Sequence, residues 1–345
     1  MKKILLVLLM LILVVSMSVT GCAQPKEKEL IKISDLNWGS AHFQAELARI
    51  IVMHGYGYPV ELVPGATIAM LQALQTGEVD MTLEIWLPNQ QEAWDKAIAS
   101  GNVLDLGIMN DDNWQSLFIV PTYMIEGDSE RGIEPMTPNL KSVSQLDQPE
   151  YKEIFKNPEN PSKGAIVQCV PGWECEKINI AKVAAYGLDD NYDLINPGSQ
   201  AGLEASMMGA YEKGEPWLGY YWGPTWISGM LDMTLLEEPV YDEAVWEENH
   251  GCAYPSADLH VAVNKSIPDR APDVVEMLEK WWLDTPVLSE ALAYMQAQDA
   301  EPFDAALWFI KEREEVWTKF VPDDVAQKVK EAVASGIVEP QTTAQ

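Results

Sequence analysis

The sequence predicts an α/β protein of two lobes with a ligand cleft between them. Three observations carry that expectation. From Leu30 onward, short apolar runs alternate with amphipathic stretches, the pattern of strand–helix units. The same layout occurs twice, before and after a connecting stretch at 126–163 rich in Pro, Asn, Asp and Glu. The length of 345 residues suits two ordinary domains. A composition of 47% hydrophobic and 22% charged residues excludes a disordered or fibrous chain.

In the first half, 30–37 reads as a strand that ends at Trp38. Residues 41–54 place Phe43, Leu47, Ile50 and Ile51 at helical spacing, and Gly55 and Gly57 stop that helix. A strand follows at 59–63. Pro64-Gly65 opens a helix that runs to Thr76, and a strand at 81–85 delivers Trp86-Leu87-Pro88.

The second half repeats this order. A strand at 164–170 leads to Pro171-Gly172-Trp173, and a helix spans 174–186. A strand at 192–195 precedes Pro197-Gly198 and a second helix, closed at Lys213-Gly214. A strand at 217–221 delivers Trp222-Gly223-Pro224. Trp38 and Trp86 are 48 residues apart, and Trp173 and Trp222 are 49 apart. Both intervals hold a central Pro-Gly, a Gly-Glu and a terminal Trp-x-Pro. Identity is otherwise low, so this is a shared plan and not a solenoid repeat. The connecting stretch carries one short helix near 151–155. A strand at 259–263 and helices at 272–283, 287–297, 302–311 and 322–334 complete the chain, several with Pro in the first turn. These last helices are expected to return to the first lobe. The lobes are then 30–122 plus 256–345, and 123–255, with hinges near 121–123 and 254–257.

Residues 1–21 read as an export signal. Lys2 and Lys3 precede an apolar run of 12 residues from Ile4 to Val15, too short for the roughly 20 residues of a membrane span. Thr20-Gly21 before Cys22 resembles a bacterial lipoprotein cleavage box, so Cys22 is the expected acylated first residue and 22–29 a tether. The protein is therefore expected outside the cytoplasm, anchored by lipid to the cell membrane. Cys169, Cys175 and Cys252 remain, and an oxidising compartment permits a bond between the first two, with Cys252 left over. The net charge of −30 becomes −32 once Lys2 and Lys3 are cleaved away. That field repels nucleic acid and anionic membrane surfaces. No Cys or His spacing suits a metal, and no cofactor is expected.

The chain holds 13 Trp against 6 Phe. In open α/β sheets ligands bind at the carboxyl ends of strands, where Trp38, Trp86, Trp173 and Trp222 all fall. A single Trp there is more often packing, and the other nine are assigned to core or surface. Four at matched positions in two matched units point to one cleft. A box of indole faces suits a quaternary ammonium group, whose diffuse charge is weakly hydrated; each desolvated cation–π contact is worth roughly 2 kcal/mol. Four such contacts approach the about 8 kcal/mol of micromolar binding. Beside this box, Pro171-Gly172 turns directly into a helix. The first-turn amides of Glu174 and Cys175 then form an anion site, so a zwitterion fits both devices. The Glu174 carboxylate opposes an anion if it turns inward and favours the helix start if it faces solvent.

Four segments resemble a known family: Trp86-Leu-Pro; Cys169-Val-Pro-Gly-Trp-Glu-Cys175; Tyr220-Tyr221-Trp222-Gly-Pro224-x-Trp226; and Leu259-His-Val-Ala-Val-Asn264. They are similar to the glycine betaine and choline-type substrate-binding proteins of ABC importers. The resemblance covers nearly the whole mature chain and implies the type II periplasmic-binding-protein fold. It also implies an ABC permease of the cytoplasmic membrane as partner, and a family disulfide at Cys169 and Cys175. It carries a three-Trp cage onto Trp86, Trp173 and Trp222, and carboxylate contacts onto Gln90, Glu174 and Cys175. The sequence departs from the family at Gln90, where a His is usual, and at Glu174, where a Gly is usual. Trp38 adds an aromatic that choline- and trimethylamine-oxide-type binders share. Glycine betaine is the first expected ligand, with choline, carnitine, trimethylamine N-oxide and dimethylsulfoniopropionate as alternatives.

A secreted carbohydrate-active enzyme would also use many Trp and acids, but Glu84 has no evident acid partner and no hydrolase motif appears. A non-catalytic sugar-binding or adhesion lipoprotein is the third possibility. The expected device is binding by lobe closure, not catalysis.

Overall fold

A computed structural model of the chain describes residues 28–337. The expected export signal at 1–21, the expected acylation residue Cys22 and most of the expected tether lie outside these residues. In chain order the strands of the first half are β1 (Ile31–Leu36), β2 (Val60–Gly65), β3 (Met81–Leu87), β4 (Val103–Asn110) and β5 (Trp114–Pro121). The second half adds β6 (Gly164–Val167), β7 (Tyr192–Ile195), β8 (Gly219–Gly223), β9 (Met233–Leu235) and β10 (Asp258–Asn264). They form two five-stranded sheets, ordered β2-β1-β3-β10-β4 and β7-β6-β8-β5-β9. The sheets define two lobes of α/β architecture, the type II periplasmic-binding-protein arrangement.

Each sheet is mixed. β1 pairs in parallel with β2 and β3, and β6 with β7 and β8. β10 runs antiparallel between β3 and β4, and β5 antiparallel between β8 and β9. The chain thus crosses twice, and each crossing inserts an antiparallel strand into the other sheet. This corrects the expected boundary. β5 lies within the predicted first lobe, yet it pairs in the second sheet, so the first crossing is at 111–113 and not beside Pro121. The return runs through 254–257. The crossings are tied together: Asn113 Nδ2 donates to Ala257 O at 2.6 Å, Ala257 N to Asn113 Oδ1 at 3.0 Å, and Ser256 Oγ to Asp111 O at 3.0 Å.

The helices that position the cleft are α1 (Gly39–Ile50), α2 (Thr67–Thr76), α3 (Gln91–Ala99), α4 (Glu174–Ala185) and α5 (Gln200–Lys213). A π-helical turn, Ile51–Tyr56, continues α1 to the left-handed Gly57. In the connecting stretch a short helix spans Pro149–Ile154. As expected, the C-terminal helices return to the first lobe. α6 (Pro302–Glu312) packs on α1, and α7 (Asp323–Ala334) on the 51–56 turn.

The core follows the hydropathy pattern. All seven residues of β3 are buried, as a central strand covered on both faces requires. This covering buries Glu84 as well. β6 is followed by a loop in which Gly172 takes φ +85°, a conformation that glycine adopts without steric cost, and the chain turns directly into α4. A Cβ on Gly223 would overlap the Trp114 indole, so this glycine lets the end of β8 lie flat against β5. Lys182, fully buried on α4, donates to Cys252 O and pairs with Glu238 Oε2 at 2.6 Å, fixing α4 to the segment before the return crossing.

Candidate functional site

The seven residues expected to contact ligand, Trp38, Trp86, Gln90, Trp173, Glu174, Cys175 and Trp222, line one cavity between the lobes. Thr67, Asn89, Gln115 and Tyr220 complete its wall. The strand ends bring them there. Trp38 follows β1 and precedes α1, Trp86 is the penultimate residue of β3, Trp173 caps α4, and Trp222 is the penultimate residue of β8.

The indoles stand edge to face. Trp38 and Trp173 have centroids 5.5 Å apart at 75°, and Trp173 and Trp222 5.1 Å apart at 82°. Perpendicular neighbours are a preferred aromatic geometry, and they make adjacent walls of a box. Tyr220 stacks near Trp222 at 5.9 Å, and its hydroxyl donates to Gln115 Oε1 at 3.1 Å. Burial pushes the Tyr220 pKa up, so the phenol stays neutral. Three of the four indole N–H groups have partners behind the walls. Trp38 Nε1 and Trp86 Nε1 both donate to Glu84 Oε1 at 2.8 Å, and Trp173 Nε1 donates to Asn37 Oδ1 at 2.8 Å. Their polar edges are engaged there, which leaves the π-faces for the cavity.

Polar groups share the lining with the indoles. Helices α2, α3 and α4 all begin there, at Thr67, at Gln91 after Gln90, and at Glu174. First-turn amides lack intrahelical acceptors and carry the positive end of the helix dipole. Gln90 is 6% exposed, and its Oε1 has no hydrogen-bond partner among the described residues. The site therefore pairs an aromatic box with first-turn amide donors and one unpartnered acceptor, Gln90 Oε1.

The family described as the substrate-binding domain of ABC-type glycine betaine transport systems matches residues 29–312. The chain belongs to this family.

Members of this substrate-binding family are solute receptors of ABC transporters, not enzymes, and they bind small quaternary ammonium compounds. The chain is 25% identical over 327 residues to the trimethylamine N-oxide-binding protein of Pelagibacter ubique, covering 93% of this chain and 99% of that one. Two solved structures share the fold. A choline-binding ABC-transporter protein in complex with choline superposes with a TM-score of 0.70 at 17% identity, covering 90% and 100% of the two chains. Lactococcal OpuAC, closed on glycine betaine, gives 0.67 at 18% identity over 86% and 100%.

Within this substrate-binding domain, Cys169 and Cys175 are disulfide-bonded and bracket Trp173, while Cys252 is free and buried. Glu174 pairs along the helix with Lys177, Nζ to Oε2 at 2.8 Å, while it remains part of the cavity lining. The sequence reading missed five residues. Thr67 and Asn89 sit at helix starts of ordinary composition. Tyr220 stood in a recognised block without a role. Gln115 lies on β5, a strand not predicted at all, although the apolar run 117–120 between an Asp-Asp-Asn turn and Pro121 was a signal for it. Glu84 was noted only as an acid without a partner. Burial raises its pKa, against the opposing hydrogen bonds from Trp38, Trp86, Ser40 and Gln44.

Proposed function

We propose that the protein is the extracytoplasmic, lipid-anchored receptor of an ABC importer, that it carries no catalytic activity, and that its ligand is a small zwitterion with a trimethylammonium head, glycine betaine first. One arrangement supports this reading: four indoles and three helix starts line a single cavity. The box takes the methyl shell and diffuse charge. The helix-start amides and the side-chain N–H group of Gln90 take the anionic oxygen. Choline and other hydroxylated cations leave those donors without an anion.

Trimethylamine N-oxide is the second reading, favoured by the fourth indole, Trp38, and by the ligand named for the Pelagibacter relative. Ligand bridges half a site on each lobe, and the closed form is the surface the permease meets. Calorimetry with glycine betaine, choline, carnitine, trimethylamine N-oxide and dimethylsulfoniopropionate tests the proposal. Micromolar or tighter binding is expected for glycine betaine. Millimolar or absent binding across the panel overturns the receptor reading, and choline as the tightest ligand overturns the zwitterion reading.

A further inference from the structure

Glu84 is 1% exposed and lies behind two cage walls. Its Oε1 accepts from Trp38 Nε1 and Trp86 Nε1, both at 2.8 Å, and from Ser40 Oγ at 3.1 Å. Its Oε2 accepts from Gln44 Nε2 at 2.7 Å. The Gln44 amide cannot turn round, because its Oε1 accepts from Trp281 Nε1 at 3.0 Å. An indole N–H donates only. Three of the four partners of Glu84 therefore face it with a hydrogen to give. A protonated carboxyl could place its own hydrogen only toward Ser40. This donor set is the one that an ionised carboxylate satisfies.

Among the described residues, the groups that act on Glu84 are these hydrogen-bond donors, and none is a Lys or Arg. A buried carboxylate without a countercharge is costly even when fully hydrogen-bonded. The nearest place for a cation is the aromatic box on the other side of Trp38 and Trp86. We propose that Glu84 is a specificity-determining residue: its negative charge, set against the indole N–H groups of Trp38 and Trp86, makes the cage select a methylated cation over a neutral group of the same shape. Two physical effects act together. Hydrogen bonding of the indole N–H to an anion pushes electron density onto the ring and strengthens the negative potential of its face, the source of cation–π attraction. The charge also acts directly through surroundings of low polarity, where Coulomb attraction is far stronger than in water. The ligand's ammonium becomes the countercharge that the protein withholds. This inference rests on the methylated-ammonium reading given above.

The test compares glycine betaine with 3,3-dimethylbutanoate, in which carbon replaces the charged nitrogen and the shape is kept. Both are titrated by calorimetry into the full chain, wild type, E84Q and E84D. The ratio of the two affinities is expected to fall at least tenfold in E84Q. In E84D, which keeps the charge but shortens its reach, the ratio is expected to stay within about threefold of wild type, even as both ligands bind less tightly. Equal weakening of both ligands in E84Q would show that Glu84 only holds the rings in place and would overturn the inference. An unchanged ratio overturns it as well. If E84Q does not fold, the exchange E84Q/Q44E keeps a carboxylate–amide pair in the same cluster while moving the charge off the two cage indoles. The affinity ratio is then expected to fall in that double variant, and an unchanged ratio there overturns the inference. A wild-type chain that binds no methylated ammonium overturns the ligand reading and this inference with it. A chain that binds glycine betaine but keeps its preference in E84Q overturns this inference alone.

Discussion

Trp173 Nε1 donates to Asn37 Oδ1 across the cleft at 2.8 Å, joining a cage wall of the second lobe to the end of β1 in the first. Two further contacts close the lobes near the cavity. Gly39 N donates to Gln200 Oε1 at 3.0 Å, and Asn89 and Gln115 exchange amide bonds at 2.9 and 3.2 Å. Asn37 therefore bears on closure without forming a wall of the site. A net hydrogen bond is worth about 0.5–1.5 kcal/mol. Asn37→Ala is expected to weaken binding by roughly three- to tenfold, mostly through faster dissociation, since closure bonds are broken before ligand leaves. Stopped-flow Trp fluorescence reads this directly, and an unchanged dissociation rate counts against the closure role.

Trp38 decides the size of the box. Its ring stands 5.5 Å from Trp173, and its N–H is held by Glu84. Trp38→Ala, Trp173→Ala and Trp222→Ala are each expected to weaken binding at least tenfold in titrations, in keeping with roughly 2 kcal/mol per desolvated cation–π contact. Intact affinity in the Trp38 variant alone would reduce the site to three walls.

The Cys169–Cys175 bond closes a short loop around Trp173. Loop-closure entropy for such a length gives about 2 kcal/mol of stability. The Cys169→Ser/Cys175→Ser variant is expected to lose about that amount in urea unfolding. It is also expected to bind more weakly, because the Pro171-Gly172 turn that aims Trp173 is no longer braced. Lower stability with unchanged affinity would confine the bond to a structural role.

Two histidines make stability sensitive to mild acid. Burial lowers the pKa of His54, aided by Arg49, and burial lowers that of His250, aided by Lys182. Above the ordinary value of 6.5 both are neutral in either state. As pH falls through that value, the unfolded chain takes up protons before the folded one does, so stability drops, and the drop levels off once the folded groups are charged too. A thermal-melt series across this range is expected to fall less steeply for the His54→Gln/His250→Gln variant. Superimposable curves would assign the sensitivity to other groups.

Much of the site was legible because it depends on local order. The strand at 192–195 was read with its observed bounds, and the matched Trp intervals placed all four indoles at strand ends. β5 escaped because nearly all its residues are buried, which erases the alternation of a half-exposed strand. Its partners β8 and β9 lie about a hundred residues further along, and nothing local announces an antiparallel insertion. The misplaced first hinge followed from that one omission.

The sequence by itself determined which aromatic rings stand at strand ends, which turns lead into helices, and that these positions belong to one cleft. Hydropathy period and turn residues act over a few positions, and these features need no more than that. Only the tertiary structure decided how the rings are held. Glu84 gathers hydrogen bonds from residues 38, 40, 44 and 86, drawn from two strand ends and a helix, and Trp173 reaches Asn37 from the other lobe. Such partnerships arise where packed elements oblige buried polar groups to find one another.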